Sequence, residues 1–326
     1  MKFPRRKFLH LASGAVVLPV ASRIASAQTH PTRPITMIVP FAPGGPTDVV
    51  ARVIVERMKE TLQQPIIIEN IGGAEGSIGV GRAARTKPDG YTICLGDAST
   101  LMLNGALYSL QYDLLNDFEP VVPLVTAPTV MFAAKNSPAS DLRGFIAWLK
   151  ANPNKSSAGI ASAAYHMLTA LFRKETGTQF PLVPYRGSAP AMQDLVAGQI
   201  GLVFSAPTQL PLVRAGSIKA YAVTTDSRLA LAPDIPTFEE MGLPKLTRAG
   251  WYGIFAPKGT PKDIIGKLNM AAINALADPA VQSRFIELGF EVFPREKQTP
   301  EMLGTTQKAD AEKWWPIIKE LGIKVE

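Results

Sequence analysis

Four loops of the chain carry residue types that suit the binding of a small anion. Each loop follows an apolar, strand-like run and leads into a helical pattern, so its glycine, serine and proline residues fall at the start of a helix. The first turn of a helix has backbone N–H groups without intrahelical partners, at the positive end of the helix dipole. A carboxylate is a suitable ligand for such a site. The loops read "FAPGGPTD" (41–48), "GIASAAYH" (159–166), "YRGSAPAM" (185–192) and "FSAPTQL" (204–210).

The first of these loops contains a pair of glycines. Gly44 and Gly45 have no side chains, so a ligand can approach the N–H groups at the start of the following helix. Pro46 suits the first helical position, which makes Asp48 the third residue of that helix. A bare carboxylate repels a bound carboxylate, so we expect Asp48 to brace the loop rather than to contact the ligand. A tight turn without a ligand would explain one such loop, whereas four in one chain favour a ligand cleft.

Polar side chains in the other loops have two interpretations each. Ser162 and Ser188 could cap helices or donate hydrogen bonds to a ligand. Arg186 is the one lysine or arginine within these loops, and it could clamp a carboxylate or pair with a neighbouring acid at the surface. Tyr165 could form a wall of the cleft or pack along its own helix. Ser205 opens the fourth loop and is a further candidate donor.

Residue types that move protons or electrons are scarce. Beyond the first 27 residues the histidines are His30 and His166, and His166 is expected to pack or hydrogen-bond rather than to act as a base. No group of His, Cys and Asp has zinc-binding spacing, and no G-x-S-x-G, Walker or H-E-x-x-H motif occurs. The G-x-G-x-x-A match "GVGRAA" (79–84) lies inside a helical pattern and not directly after a strand. The sequence therefore favours binding without catalysis, metal or cofactor.

Residues 1–27 are typical of an export signal. A basic head precedes a short apolar stretch at 11–20, and "ASA" (25–27) is a cleavage pattern. "RRKFLH" resembles a twin-arginine signal, and an ordinary secretory signal is the alternative; both predict a periplasmic protein. The segment holds five basic and no acidic residues, so its removal lowers the formal charge from +7 to +2. This near balance argues against a nucleic-acid partner.

The remaining chain alternates strand-like and helical patterns, which is typical of an α/β protein with mostly parallel sheets covered by helices. Strands are predicted at 35–41, 66–69, 91–95, 130–134, 182–185, 201–204, 218–224 and 252–256. Helices are predicted at 47–62, 78–85, 142–151, 164–176, 191–197, 208–215, 262–277 and 300–321. The loops described above lie at the carboxyl ends of strands, where open α/β sheets bind ligands.

Several long motifs resemble a known family in both content and order. They are "RPITMIVPFAPGGPTDVVAR", "IIIENIGGAEGSIG", "KPDGYTI", "YDLLNDFEPV", "VPYRGSAPAMQDLVAGQI", "DIPTFEEMGLP" and "WYGIFAPKGTP". The chain resembles, over about 31–322, the Bordetella uptake gene (Bug) family of periplasmic receptors of tripartite tricarboxylate transporters. Two departures concern the ligand: "GIASAAYH" has Ala161 where that family has glycine, and Gly201 stands where it commonly has aspartate.

The resemblance implies a two-domain periplasmic-binding-protein fold of type II, with a ligand cleft between the domains. Domain 1 would comprise 28–127 and 228–326, domain 2 would comprise 128–227, and the alternative is one continuous doubly wound domain. The ligand carboxylate would be held mostly by backbone amides and bridging waters. Together with the loop residues above, the predicted ligand-binding set is Pro43, Gly44, Gly45, Thr47, Asp48, Ser162, Ala163, Tyr165, Arg186, Gly187, Ser188, Ala189 and Ser205.

The expected function is capture of a mono- or dicarboxylate by a monomer that works with the membrane components of a tripartite tricarboxylate-type transporter. Arg186 is the only formal cation of the candidate loops, so a tricarboxylate would bring too much unpaired charge into the cleft. The apolar "ASAAYH" loop favours an aromatic or chain-like acid slightly. A solute sensor and a periplasmic hydrolase are the alternatives.

Overall fold

A computed structural model describes residues 30–323, so the predicted signal peptide lies outside the described residues. The strands are β1 (Ile35–Val39), β2 (Ile66–Asn70), β3 (Thr92–Asp97), β4 (Phe118–Ala127), β5 (Val130–Ala134), β6 (Ala158–Ile160), β7 (Leu182–Pro184), β8 (Leu202–Ser205), β9 (Ile218–Val223), β10 (Gly250–Pro257) and β11 (Glu291–Val292). The α-helices are α1 (Pro46–Leu62), α2 (Ser77–Ala84), α3 (Asn104–Leu107), α4 (Leu142–Ala151), α5 (Ala163–Thr176), α6 (Ser188–Val196), α7 (Leu210–Arg214), α8 (Lys262–Ala277), α9 (Pro279–Glu287) and α10 (Pro300–Glu320).

Two β-sheets define two lobes, and five strands of each sheet share the same arrangement. The first sheet has the order β11-β4-β10-β3-β1-β2, and the second has the order β7-β6-β8-β5-β9. In each sheet three strands joined by helices are parallel, namely β1 to β3 and β6 to β8. The next strand, β10 or β5, is antiparallel to them because it enters from the other lobe. Both sheets are therefore mixed, and the expectation of mostly parallel sheets is wrong.

The chain passes between the lobes twice. It leaves the first sheet after Ala127 and enters the second at Val130, and it returns between Val223 and Gly250. The returning segment stays on the second lobe at first, since the Phe238 N–H donates to the Val223 carbonyl at 2.9 Å. Helices α8 and α10 then pack on β4 of the first sheet. The domain boundaries at 127/128 and 227/228 stay a prediction.

Strand β4 was missed by sequence patterns because Pro120 and Pro123 interrupt it. Proline removes a ladder donor and is expected at edges or irregular positions of a sheet. The structure places both prolines opposite β10, where the pairing register shifts between Tyr252 and Gly253 and again between Ile254 and Phe255. Two irregularities in the ladder thus accommodate two prolines in a strand that lies inside the sheet.

Each lobe has its own apolar layer. Helix α1 places the fully buried Val50, Ile54 and Met58 on the side that meets α8 and the first sheet. In the second lobe the ring centroids of Phe204 and Phe238 lie 5.9 Å apart, and Phe172 packs 6.4 Å from Phe204. Among residues 30–323, no helix is both long and apolar enough to cross a membrane.

Candidate ligand-binding site

Loops from the two lobes meet face to face at the carboxyl ends of their strands. A Cβ atom placed on Gly187 would lie 3.4 Å from the backbone nitrogen of Ala42 in the opposite lobe. A Cβ atom on Gly72 would lie 3.0 Å from the Arg186 carbonyl oxygen, again across the cleft. Bare backbone at these positions is what lets the loops approach so closely. The structure is therefore that of a closed cleft.

A small cavity lies between these loops. Residues of both lobes line it, and its volume is about 10 Å3, which is close to the space of one water molecule. An organic acid can enter only if the lobes move apart. The lining residues are Phe41, Gly45, Pro46, Thr47, Asp97, Ala161, Ser162, Tyr165, Ser188 and Tyr252.

The start of α1 presents backbone donors to this cavity. Gly45 is the N-cap, and within residues 30–323 no acceptor pairs with the N–H of Gly45, Thr47 or Asp48. Gly44 differs, because its N–H donates to the Asp48 carboxylate at 2.9 Å. The expectation that the Gly44 amide also holds a ligand is therefore wrong. Gly44 serves the loop instead, since its φ of +80° lies in the left-handed region that glycine tolerates.

The start of α6 faces the same point from the second lobe. A Cβ atom on Gly45 would lie 4.0 Å from the backbone nitrogens of both Ser188 and Ala189. The N-cap of α6 is Gly187, at φ +149°, so the expectation that Ser188 caps the helix is wrong. Two helix N-termini, each the positive end of a dipole, thus converge on one cavity from opposite lobes. This arrangement suits a carboxylate.

Hydroxyl groups complete the wall of the cavity. Ser162 is the N-cap of α5, yet its side chain makes no capping hydrogen bond. Tyr165 and Tyr252 are both buried against the cavity. Burial raises the pKa of each phenol well above its ordinary value, and the charge of Asp97 adds to this effect. Both phenols therefore remain protonated donors at neutral pH.

The lobes are also joined by two hydrogen bonds beside the cavity. The Ala164 N–H, in the first turn of α5, donates to the Ser99 hydroxyl of the first lobe at 2.8 Å. The buried His166 Nδ1 lies 3.2 Å from Glu75 Oε1, also across the cleft. His166 is thus a hydrogen-bonding residue, as its position in the sequence predicts.

The structure brings together only part of the predicted set. Gly45, Thr47, Ser162, Tyr165 and Ser188 line the cavity, and the N–H of Ala189 faces Gly45. The remaining members lie around it. Pro43 and Arg186 are exposed, Asp48 lies beneath its loop, Ala163 and Ser205 are buried beside the cavity, and Gly187 caps α6.

Arg186 has neither of its two predicted roles. Its side chain is exposed and does not line the cavity, so it is not placed to clamp a ligand. Within residues 30–323 it also forms no ion pair with a neighbouring acid.

Sequence patterns missed Asp97, Ser99, Tyr252 and Arg248. Asp97 ends β3, and its Oδ1 accepts hydrogen bonds from the Thr100 N–H at 2.9 Å and the Thr100 hydroxyl at 3.1 Å. The rule that ligands bind beyond strand ends could have found Asp97, but the strand was predicted to stop at residue 95. Arg248 lies in an irregular segment without a periodic signal.

Two α/β lobes, joined by two crossings and closing on helix N-termini, define a solute-binding protein of the periplasmic type. The family model described as tripartite tricarboxylate transporter family receptor (TctC) matches residues 50–323, and the chain belongs to this family.

Three solved structures are similar over most of the chain. The periplasmic binding protein BugD is 36% identical, covers 91% of this chain and all of its own, and has a TM-score of 0.88. MatC from Rhodopseudomonas palustris, with bound malate, is 35% identical with a TM-score of 0.86, over 88% of this chain and 99% of its own. Another R. palustris protein, solved with adipate, is 32% identical with a TM-score of 0.85, over 90% of this chain and 99% of its own.

These relatives are binding proteins and not enzymes, so the hydrolase alternative falls away. The chain is a periplasmic solute-binding protein of the TctC, or Bug, type. The resemblance read from the sequence motifs, the two-domain α/β fold, the periplasmic location and the non-enzymatic class are confirmed.

Proposed function

We propose that the protein captures a small mono- or dicarboxylate and delivers it to the membrane components of a tripartite tricarboxylate-type transporter, acting as a monomer. The observation that carries this proposal is the convergence of the N-termini of α1 and α6 on Gly45. One ligand carboxylate accepts hydrogen bonds from the Gly45, Ser188 and Ala189 amides, with Thr47, Ser162 and Tyr165 as hydroxyl donors. Pro43, Gly44, Asp48 and Gly187 shape the loops that present these amides.

The similar structures support the ligand class. Malate and adipate, which two of those proteins hold, are both small aliphatic carboxylates with two carboxyl groups. Asp97 lies beside the cavity and offsets positive charge in the cleft. A third carboxylate would be buried without a partner, which is costly. The proposed domains, 28–127 with 228–326 and 128–227, place the first ligand loop on one domain and the second on the other.

A screen of organic acids by thermal shift and calorimetry tests the proposal. A ligand at 100 times its Kd should stabilise the protein by about 2.7 kcal/mol. Gly45→Leu should abolish binding, because its side chain would stand in front of the α6 amides. The backbone at Gly45 has φ −78°, which leucine adopts without strain, so the variant should fold. Gly266→Leu, the same change at an exposed position of α8, is the matched control.

The transport role needs a separate measurement. Deletion of the protein should abolish uptake of the identified acid, and a copy restored in the periplasm should recover it. Binding of citrate without binding of mono- or dicarboxylates would contradict the ligand class. Loss of a transcriptional response with unchanged uptake would favour a sensor instead.

A further inference from the structure

The first lobe buries an arginine whose guanidinium forms no direct ion pair among the described residues. Arg248 is 8% exposed, and its Nε and one terminal nitrogen are buried without a hydrogen-bond partner among the described residues. No carboxylate of residues 30–323 lies within 4.0 Å of its guanidinium. Its guanidinium carbon lies 5.2 Å from the centroid of the Trp314 ring. Asp310 and Asp97 stabilise its charge from a greater distance. The buried N–H groups nevertheless have no acceptor, which is costly, so the position suits an anion.

Arg248 lines a second cavity that continues the first. This cavity has a volume of about 30 Å3 and shares Asp97, Ser162, Tyr165 and Tyr252 with the cavity at Gly45. Thr129 adds a hydroxyl group at the Arg248 end. The two cavities are therefore the two ends of one cleft. One end has helix N-termini, and the other has a guanidinium.

We propose that Arg248 binds a second carboxylate of the ligand, so that the cleft selects a dicarboxylate with one carboxylate at each end. The inference rests on the proposed function, in which the first carboxylate lies on the Gly45 and Ser188 amides. Asp97 lies along the shared wall and repels negative charge at the middle of the ligand. The ligand is thus a linear diacid whose central part carries no anionic group.

The competing explanation is a structural role for Arg248. Its backbone N–H donates to the Thr224 carbonyl at 2.7 Å, and its guanidinium covers Trp314. Methionine would retain the backbone contact and most of the packing. Replacing a buried charge by an apolar side chain of similar length is often neutral or stabilising. A purely structural arginine would therefore affect folding and all ligands alike, whereas a binding arginine would distinguish ligands by charge.

The test compares linear dicarboxylates of three to six carbons with their half-amides, in which one carboxylate is replaced by an uncharged amide. We expect the wild type to prefer the best dicarboxylate over its half-amide by about ten- to a hundredfold. Arg248→Met should lose that preference. Its affinity for the dicarboxylate should fall, whereas its affinity for the half-amide should stay within about twofold of the wild-type value. Arg248→Lys should keep part of it. Arg284→Met, which removes an exposed arginine of α9, should keep all of it.

The melting temperature of each variant, measured without ligand, first shows whether the variant folds. If Arg248→Met does not fold, Arg248→Lys is used for the comparison of ligands. The inference is overturned if the wild type binds the half-amide as tightly as the dicarboxylate, or if an Arg248 variant weakens both equally. Failure of the wild type to bind any carboxylate would instead overturn the proposed function.

Discussion

At the scale of single residues, Asp48 organises the glycine loop from behind. Its carboxylate accepts hydrogen bonds from the Gly44 N–H, from Arg52 at 2.8 and 3.0 Å, and from the Asn70 amide at 3.0 Å. Burial alone would raise the pKa of Asp48, but the hydrogen bonds and charge of Arg52, with Gly44 and Asn70, lower it overall. The Asp48 carboxylate is thus paired with these groups, beneath the amides that face the cavity.

We predict that Asp48→Asn lowers the free energy of unfolding by roughly 1.5–3 kcal/mol at pH 7, the range for hydrogen bonds to a charged group. Because the folded pKa is below the unfolded one, the stability that the carboxylate contributes is present above the unfolded pKa, about 4. It is lost as pH falls through the folded pKa. Urea unfolding of wild type and variant between pH 7 and pH 2.5 measures this difference.

Asp226→Asn is the control, since Asp226 is exposed and makes no side-chain hydrogen bond in the described part of the chain. It should leave the pH profile unchanged. A difference between wild type and Asp48→Asn that persists undiminished at the lowest pH would show that the packing of Asp48, and not its ionised form, is what matters.

At the scale of elements, helix ends were predictable where local chemistry marks them. Helix α8 spans the predicted 262–277, and α10 begins at the predicted Pro300, where Thr299 caps it by accepting from the Met302 N–H. Helix α9 was missed although Asp278 before Pro279 is a recognisable start signal; the Asp278 carboxylate accepts from Ala280 at 2.8 Å. Strand β6 was missed because two of its three residues are Ala158 and Gly159, types that are depleted in strands.

The start of α5 depends on the other lobe. Ser99 follows β3 in the first lobe, and its hydroxyl accepts from Ala164 at 2.8 Å. Because this bond joins the two lobes, it should stabilise the closed form. We predict that Ser99→Ala weakens ligand binding by up to about tenfold, since one hydrogen bond contributes about 0.5–1.5 kcal/mol. Calorimetric titration with the acid found in the screen measures the effect.

Thr260→Val is the matched control, because the buried Thr260 hydroxyl donates to Pro257 at 2.7 Å within one lobe. It should lower stability without changing affinity. Equal affinity losses in Ser99→Ala and Thr260→Val would argue against a specific role of the contact between lobes.

At the scale of the whole molecule, the site could be predicted only where it is local. The loop at Gly45 and the loop at Ser188 are visible in the sequence because each contains its own helix start. Asp97 and Arg248 meet Tyr165 only because the two crossings bring segments far apart in sequence to one cleft. No rule based on the spacing of residues in the sequence predicts that these residues meet. The same limit explains why the prediction for Arg186 failed. Its residue type suits an anion, but the sequence does not show that its side chain is exposed.

The closed cleft makes a prediction about ligand exchange. A Cβ atom on Gly44 would lie 4.0 Å from the Cβ of Ala189 in the other lobe, within the span of a disulfide. The double variant Gly44→Cys/Ala189→Cys, oxidised without ligand, should bind no acid, because the lobes cannot part and the cavities of about 10 and 30 Å3 admit none. Reduction should restore binding, as followed by calorimetry.

The single Gly44→Cys variant controls for strain at φ +80°, and the buried Cys94 leaves no competing exposed thiol among residues 30–323. Equal binding by the oxidised and reduced double variants would show that a ligand can enter without separation of the lobes.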